Sequence, residues 1–428
     1  MLRAFRNAFK VPDLRKKIFF TIFVIALYRF GAHIPLPGVD FDKVQELRQQ
    51  AEQGGGVYTL INLFSGGALT NFAIFALGIM PYITSSIIMQ LLTVVIPRLE
   101  ALQKEGEVGR KKITQYTRYM TVVLALLQSL GIVVTANTGN LFGGIRDFFP
   151  DHSVSRISLV VITLTAGTAL IMWMGELITQ RGIGNGMSLL IFASIIASMP
   201  AQGAALWGAA GPAKGSVFIA LGVLIIIAVV TVEQGQRRIP VQYAKRIVGR
   251  RTYGGSATYI PMKVNQAGVV PIIFASSLLY LPVLASTIVS SQGFQDFVNR
   301  TFANPASWIY IGVYFTLIIF FTYFYTAITF NPTDVADNMK KYGGFIPGIR
   351  PGRYTSEYLE HILSRITLPG AVFIGVLAVL PGVAQGVWNI QAFPFAGASV
   401  LIMVGVALET MKQVESQLMM RNYEGFLS

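Results

Sequence analysis

Long uncharged apolar runs recur from one end of this chain to the other, and they restrict its fold more than any other feature. A segment needs roughly 20 apolar residues to cross a hydrocarbon core of about 30 Å. We place predicted spans at 18–36, 72–96, 114–135, 155–175, 187–206, 213–232, 266–289, 307–329, 368–386 and 395–413. With 53% hydrophobic and 13% charged residues, the composition agrees with a membrane protein. We therefore predict an all-α membrane protein with ten transmembrane helices.

The basic residues are distributed unevenly between the two sides of the predicted membrane. Of the 34 Lys and Arg residues, 27 lie in the amino-terminal segment or in connections on its side, and six lie on the opposite side. Short loops rich in Lys and Arg stay on the cytoplasmic side. Both termini are therefore expected to be cytoplasmic, and the net charge of +14 reflects membrane topology rather than nucleic-acid binding.

The lengths of the loops indicate two related halves. A long outer loop follows span one at about 37–71, and a long inner loop follows span six at about 233–265. Long connections at matching positions on opposite sides are typical of an inverted repeat. We divide the chain into a first half, 1–206, with spans one to five, and a second half, 207–428, with spans six to ten. The second half has another long inner loop at about 330–367.

A short apolar stretch, Val57–Leu69, lies between the first two spans and contains the glycine pair Gly66–Gly67. It is too short to cross a bilayer, and the glycines disfavour a continuing helix. A half-helix that enters the membrane and stops requires a cavity inside the protein at that depth. An amphipathic helix on the outer surface fits the stretch equally well, so the stretch alone leaves both interpretations open.

Catalytic and cofactor chemistry has little support in this sequence. The chain has no cysteine, and its three histidines stand singly in different segments, so neither a metal cluster nor a catalytic triad is indicated. The spans carry few ionisable groups, whereas ion-coupled transporters place such groups near the bilayer centre. We expect a passive or externally driven channel without a cofactor. A small-solute secondary transporter is the alternative.

Two inner loops are longer and more basic than a simple connection requires. The loop after span six alternates apolar and polar residues around a glycine-containing turn, which predicts a hairpin tipped with cations. The loop after span eight is rich in Gly and Pro between Lys340 and Arg353, so no helix is expected there. Docking of an acidic or RNA-containing partner and contact with anionic lipids both fit these loops.

Several sequence motifs occur in one characteristic order along the chain. They are Phe64–Leu69, Phe75–Ile83, Gly109–Tyr119, Arg181–Gly186, Gly235–Arg238, Asn265–Pro271, Phe330–Pro332 and Pro347–Gly352. From about residue 10 to 425, this sequence is similar to the SecY/Sec61 family of protein-export channels. The resemblance implies an hourglass channel in which two five-span halves in inverted, pseudo-symmetric arrangement surround a path for unfolded polypeptide.

The resemblance also implies candidate site residues. The constriction of the channel would be lined by Ile79, Ile83, Met187, Ile191, Ile273 and Ile402, where the family usually has Ile in place of Met187. A plug half-helix near 58–69 would close the channel on the outside with Tyr58, Ile61, Leu63, Phe64, Ser65, Gly66 and Gly67. A lateral gate between spans two and three and spans seven and eight would contain Gln128 and Asn265. Partner docking would use Lys245, Arg246, Arg250, Arg251 and Arg350.

The function implied by the resemblance is passage of unfolded secretory polypeptides across the bacterial cytoplasmic membrane, with sideways release of transmembrane segments into lipid. The implied partners are SecE, SecG, the SecA motor ATPase, the ribosome with its rRNA, secretory and membrane-protein precursors, and anionic lipids. SecA or translation would drive transport, so the chain itself is expected not to be an enzyme. An aliphatic constriction suits this role because an ion must shed water to pass it. An accessory channel for a few substrates is a third interpretation.

Overall fold

The computed structural model is predominantly helical. It describes residues 9–53, 65–138, 148–149, 153–243, 246–248, 251–253, 257–288, 292–302, 304, 306–388 and 397–424. The helices of the first half and its junction with the second are α1 Pro12–Gly31, α2 Phe41–Gln53, α3 Met80–Val95, α4 Pro97–Lys104, α5 Glu107–Thr138, α6 Val154–Arg181 and α7 Gly186–Gln234. Those that follow are α8 Val270–Ile288, α9 Gln292–Thr301, α10 Trp308–Thr329, α11 Pro332–Lys341, α12 Arg353–Trp388 and α13 Gly397–Glu424. The strands are β1 Gln236–Tyr243, β2 Arg246–Val248, β3 Arg251–Tyr253, β4 Ala257–Lys263 and β5 Gly344–Phe345.

Six helical stretches within the described residues are long and apolar enough to cross a membrane, and a seventh arises if α3 and α4 form one bent span. These two helices meet at a 100° bend at Ile96. Pro97 begins α4 and restricts the preceding residue to extended backbone, which explains the break. Helix α8 adds a shorter apolar stretch, Val270–Leu279. The protein is thus a multi-span helical membrane protein, and its count of ten spans stays a prediction.

The second predicted span begins later than the sequence indicates. We predict it from residue 72, whereas α3 begins at Met80 and residues 66–79 form turns. Glycine is the residue that adopts left-handed backbone at little cost, and such backbone interrupts a helix. Within the predicted span, Phe72 at 44° and Gly78 at 57° have positive φ angles, as have Gly66 at 62° and Gly67 at 88° just before it.

Helix α7 covers two predicted spans, 187–206 and 213–232, without an intervening loop. A bend at Gly211 separates the two parts, since its φ of 73° and ψ of 168° lie outside the helical region. The helix packs against α1 and α6 on one side and against α13 on another. Helix α7 therefore connects the predicted first half with the second.

The second half is assembled around α10. This helix packs between α8 and α12, and α12 packs in turn against α13. Buried side chains of α7, α8, α10, α12 and α13 form one apolar cluster, with Ile318 and Ile374 fully buried within it. Helix α8 also lies against α3, which is one of the places where the two predicted halves meet.

A small sheet joins the two long inner loops. Strand β1 pairs antiparallel with β4, and β5 pairs antiparallel with β1, so the strand order is β4-β1-β5. Strands β2 and β3 form a separate antiparallel pair. The hairpin predicted for the loop after span six is confirmed. The pairing of this loop with the loop after span eight, through β1 and β5, is not evident from the sequence. Part of the latter loop is helical, because it contains α11 and the first turns of α12.

Candidate functional site

Six aliphatic side chains, which we call the constriction set, lie together in one apolar cluster. They are Ile79, Ile83, Met187, Ile191, Ile273 and Ile402. Ile83 is partly buried, and the other five are between 1% and 8% exposed. Residues more than 300 positions apart thus converge, because α3, α7, α8 and α13 all contribute to this cluster. The sequence resemblance groups these six residues, and the structure packs them in one place.

The first turn of α7 positions Met187 and Ile191. Asn185 caps this helix, because its side-chain oxygen accepts hydrogen bonds from the backbone N–H of Met187 at 3.1 Å and of Ser188 at 3.4 Å. The N–H of Gly186 donates to Thr179 Oγ1 at 2.9 Å, which ties α7 to the preceding helix. Hydrogen bonds to the side chains of Asn185 and Thr179 therefore fix the start of α7.

Two glycines allow α6 and α7 to approach closely at the same place. A Cβ atom on Gly186 would lie 1.9 Å from the carbonyl oxygen of Gly175, and a Cβ on Gly175 would lie 2.4 Å from Met187 Sδ. A real Cβ cannot occupy either position without moving backbone or the Met187 side chain. The location of Met187 in the cluster thus depends on the absence of side chains at two positions.

The described end of the predicted plug borders the same cluster. Ser65, Gly66 and Gly67 are described by the structure, and Ser65 is fully buried. Ala68, directly after them, belongs to the cluster that contains the constriction set. The other predicted plug residues, Tyr58, Ile61, Leu63 and Phe64, lie outside the described residues.

The chain that returns from this segment is anchored to the end of α1. The N–H of Leu36 donates to the Phe72 carbonyl at 2.8 Å, and the N–H of Ile74 donates to the Ile34 carbonyl at 2.9 Å. Phe75 stacks on Tyr28 of α1 with ring centroids 5.8 Å apart. These contacts attach the base of the outer loop to the first span.

The two predicted gate residues differ in their surroundings. Asn265 is 3% exposed; its Nδ2 donates to Glu233 Oε2 at 3.0 Å, and its Oδ1 accepts from the N–H of Gly268 at 2.9 Å. Gln128 lies partly buried on α5. Both described hydrogen bonds of Asn265 thus stay within the second half. Sequence reasoning did not identify Glu233 as its partner, because nothing in the spacing of the two residues indicates that the end of α7 folds back on the start of the next span.

The predicted docking residues lie on the sheet and beside it. Arg246 stands opposite Tyr253 and Arg251 opposite Val248 in the β2–β3 pair. Arg350 is exposed in the turn that follows β5. The remaining two candidates, Lys245 and Arg250, lie outside the described residues. Strand β5 pairs with the end of β1, shortly before β2 begins. This pairing therefore brings the loop that carries Arg350 close to the start of the β2–β3 pair.

The apolar face of this sheet is buried. Ile239, Val241 and Met262 are at most 2% exposed and pack with side chains of α11 and α12. On the opposite face the Arg238 guanidinium lies 4.9 Å from the centroid of the Tyr259 ring. Burial of one face leaves the other free to present cations. Within the described residues, no group of three or more His, Cys, Asp or Glu side chains is placed to hold a metal.

Comparison with known proteins identifies a family and its fold. The SecY family model matches residues 73–411 of this chain. The protein translocase subunit SecY of Streptomyces scabiei is 57% identical over 439 residues, and the subunit of the same name from Mycobacterium bovis is 56% identical over 440 residues. Each alignment covers 100% of both chains.

Solved structures with the same fold include polypeptide channels. A protein conducting channel aligns with a TM-score of 0.61 and 18% identity, and Sec61 of the canine ribosome-channel complex aligns with 0.56 and 17%. Both alignments cover 94% of this chain and 91% of the other chain. At such identities the likeness establishes the fold, while the full-length relatives and the family model establish the family. The chain belongs to the SecY family.

Proposed function

We propose that this chain passes unfolded secretory polypeptides across the cytoplasmic membrane through the constriction set. As a member of the SecY family it is a translocase channel subunit and not an enzyme. The observation that carries the proposed path is the convergence of six aliphatic side chains from four helices in one cluster. An apolar constriction obstructs hydrated ions, while its flexible side chains can adapt to an extended polypeptide.

The segment near 58–69 acts as a plug in this proposal. Its described end, Ser65–Leu69, contains Ala68, which belongs to the cluster of the constriction set. A structurally similar SecY protein, aligned with a TM-score of 0.63, is described as having a plug domain that stabilises the closed state and maintains a membrane seal. Placement of its described end beside the constriction set supports the same role here.

The lateral gate lies in our proposal between α3 and α5 on one side and α8 and α10 on the other. The contact between α3 and α8 supports this location, since it joins the two halves without a covalent connection nearby. Hydrogen bonds between membrane helices are worth only about 1 kcal/mol, which suits an interface that must open. Gln128 and Asn265 serve as polar residues of this gate. The halves 1–206 and 207–428, with five spans each, are its two inverted sides.

The basic loops dock the partners that drive transport. Sec61 and the yeast Ssh1 complex are described bound to ribosomes, and both share this fold. We propose that the hairpin around Arg246 and Arg251, together with Arg350, binds a ribosome or the SecA motor, and that SecE and SecG complete the channel. Both termini and these loops lie on the cytoplasmic side, which is consistent with their excess of Lys and Arg. Anionic lipids contact the same basic surface.

The small-solute transporter finds no support among the relatives, which are translocase subunits and polypeptide channels. An accessory channel with few substrates differs from a general one only in its cargo. Complementation of a strain that lacks its own channel distinguishes these two, because a general channel restores export of many precursors.

Crosslinking during transport tests the proposed path. The chain contains no cysteine, so a single cysteine can be introduced at Ile83 and the channel complex reconstituted into vesicles. We expect the cysteine to crosslink to an arrested secretory precursor. Ile162→Cys is the matched control, since that isoleucine is 66% exposed on the surface of α6. An arrested precursor that contacts neither position, or both equally, would contradict the proposed path.

A further inference from the structure

One charged side chain of the first span contacts the end of the plug segment. Arg29 lies in the last turn of α1, and its Nη1 donates a hydrogen bond of 2.8 Å to the carbonyl oxygen of Gly66. The two residues are 37 positions apart, so the bond closes the outer loop that contains the plug segment. A hydrogen bond from a charged donor is about twice as strong as a neutral one.

We propose that Arg29 is a positioning residue that latches the plug segment in its closed position through this bond. The inference rests on the proposed function, because it assumes that residues 58–69 act as the plug. The latch consists of one guanidinium and one backbone carbonyl. Release of the plug then requires that this hydrogen bond break.

The conformation of Gly66 makes the latch specific. Its φ of 62° is left-handed, which glycine adopts without the steric cost that other residues incur. A Cβ atom at this position would lie 2.9 Å from Arg29 Nη1 and 2.9 Å from both Cβ and Oγ of Ser194. A side chain at position 66 would therefore displace the carbonyl or the guanidinium, and only glycine fits between them.

Ser194 forms the opposite wall of this contact. It is fully buried on α7, and its Oγ donates to the Leu190 carbonyl at 3.0 Å. A serine hydroxyl has one proton, so the 2.7 Å bond between Ser194 Oγ and Tyr28 Oη is donated by the tyrosine. Tyr28 and Arg29 are neighbours on α1. Tyr28 binds Ser194 on one side of Gly66, and Arg29 binds the Gly66 carbonyl itself.

The latch lies entirely within the first half of the chain. Arg29, Gly66 and Ser194 belong to α1, the outer loop and α7, and none of them belongs to α8 or α10. Separation of the halves at the lateral gate therefore does not by itself break the bond. Plug release and gate opening are two distinct steps in this view, and the plug can be freed by a substitution while the gate stays closed.

The test measures how readily the plug segment becomes exposed. Ser65→Cys places one thiol, in an otherwise cysteine-free chain, at a fully buried position beside Gly66. The reconstituted complex is labelled with a membrane-impermeant maleimide in the absence of precursor. We expect Arg29→Met to raise the labelling rate by about tenfold, as loss of a charge-assisted hydrogen bond predicts. Arg29→Lys retains a charged donor and is expected to restore most of the protection.

A second buried serine distinguishes loss of the latch from a general loosening of the first half of the chain. Ser129→Cys lies on α5 in the same half and replaces a side chain that is also fully buried. Its labelling should not respond to Arg29→Met. The proposal is overturned if position 65 labels at the same rate with Arg29 and with methionine, if positions 65 and 129 respond equally, or if position 65 already labels rapidly in the unaltered background.

Failure of the latch and failure of the proposed function give different results. Precursor crosslinking at Ile83→Cys is measured with Arg29 intact. Crosslinks together with an unchanged labelling rate contradict the latch alone. Absent crosslinks contradict the polypeptide path, while the labelling rates still report whether Arg29 holds Gly66.

Discussion

The constriction set and the basic inner loops differ in the surface that they present. The constriction set consists of buried aliphatic side chains whose positions depend on the close approach of backbones, as at Gly175 and Gly186. The basic loops expose cations on a sheet that buries its opposite face. Packing therefore positions both regions, and exposed charge matters only in the second. We expect added or removed volume to matter in the pore and under the sheet, and changes of surface charge to matter only for docking.

The largest effect is expected from a cavity beneath the sheet. Met262 is fully buried against α11 and α12, and Met262→Ala should destabilise the sheet by about 2–5 kcal/mol. Faster trypsin cleavage in the loop 233–265 of the purified complex measures this effect. Thr258→Ala, at an exposed position of the same strand, is the control. Equal cleavage rates for Met262→Ala and Thr258→Ala would contradict the packing of Met262 beneath the sheet.

A single methyl group should disturb the pore. Gly186→Ala places a Cβ 1.9 Å from the Gly175 carbonyl oxygen, so α6 and α7 must separate, at a cost of about 3 kcal/mol. Thermal unfolding of the complex measures the loss. Gly203→Ala in the same helix meets no atom within 4 Å and should be neutral or slightly stabilising. Equal unfolding temperatures for the two variants would show that the close approach at Gly186 is unimportant.

The two gate residues should differ from each other. Asn265→Ala leaves the Glu233 carboxylate and the Gly268 N–H without their partner and should cost about 1–3 kcal/mol. Gln128→Ala, at a partly buried position, should change the free energy of unfolding by about 0.5 kcal/mol or less. Denaturant unfolding of both variants measures the difference. Similar costs would mean that Asn265 is no more fixed in the folded protein than Gln128.

The smallest effect on stability is expected from surface charge. Arg350→Glu should alter the free energy of unfolding by about 0.5 kcal/mol or less, because the residue is exposed. The same change should weaken binding of ribosomes or SecA about tenfold at low salt and less at high salt. Arg300→Glu, exposed on the predicted outer side, is the control. Equal binding by both variants would contradict the assignment of Arg350 to docking.

Much of this architecture is predictable from the sequence, since a span must be apolar over a minimum length whatever it packs against. The helices α5, α6, α10 and α12 accordingly overlap the predicted runs. Alternation around a turn in residues 234–253 likewise predicted a hairpin in this loop, where β2 pairs with β3; the pairing of β1 with β4, which lies beyond that stretch, was not predicted. The grouping of the constriction set came from the family resemblance, because an isoleucine in a span has no feature that distinguishes a pore from ordinary packing.

Other features depend on contacts that no local pattern records. The late start of α3 follows from positive φ angles at Phe72 and Gly78, and a residue's identity in the sequence does not reveal its backbone angle. The pairing of β5 with β1 involves two residues of a short strand more than 100 positions away, too little for a periodic signal. The bond between Arg29 and Gly66 joins a side chain to a backbone carbonyl, which any residue possesses. Such contacts emerge only once the chain is folded.

The central claim is that one polypeptide passes between the two halves at the constriction set. The most direct measurement arrests a precursor that carries a single cysteine and combines it, under a mild added oxidant that forms disulfides, with Ile83→Cys from the first half or Ile402→Cys from the second. Our account predicts that the same precursor position reacts with both cysteines and not with Ile162→Cys. Reaction with only one half, or with the lipid-facing control as strongly, would contradict a path between the halves.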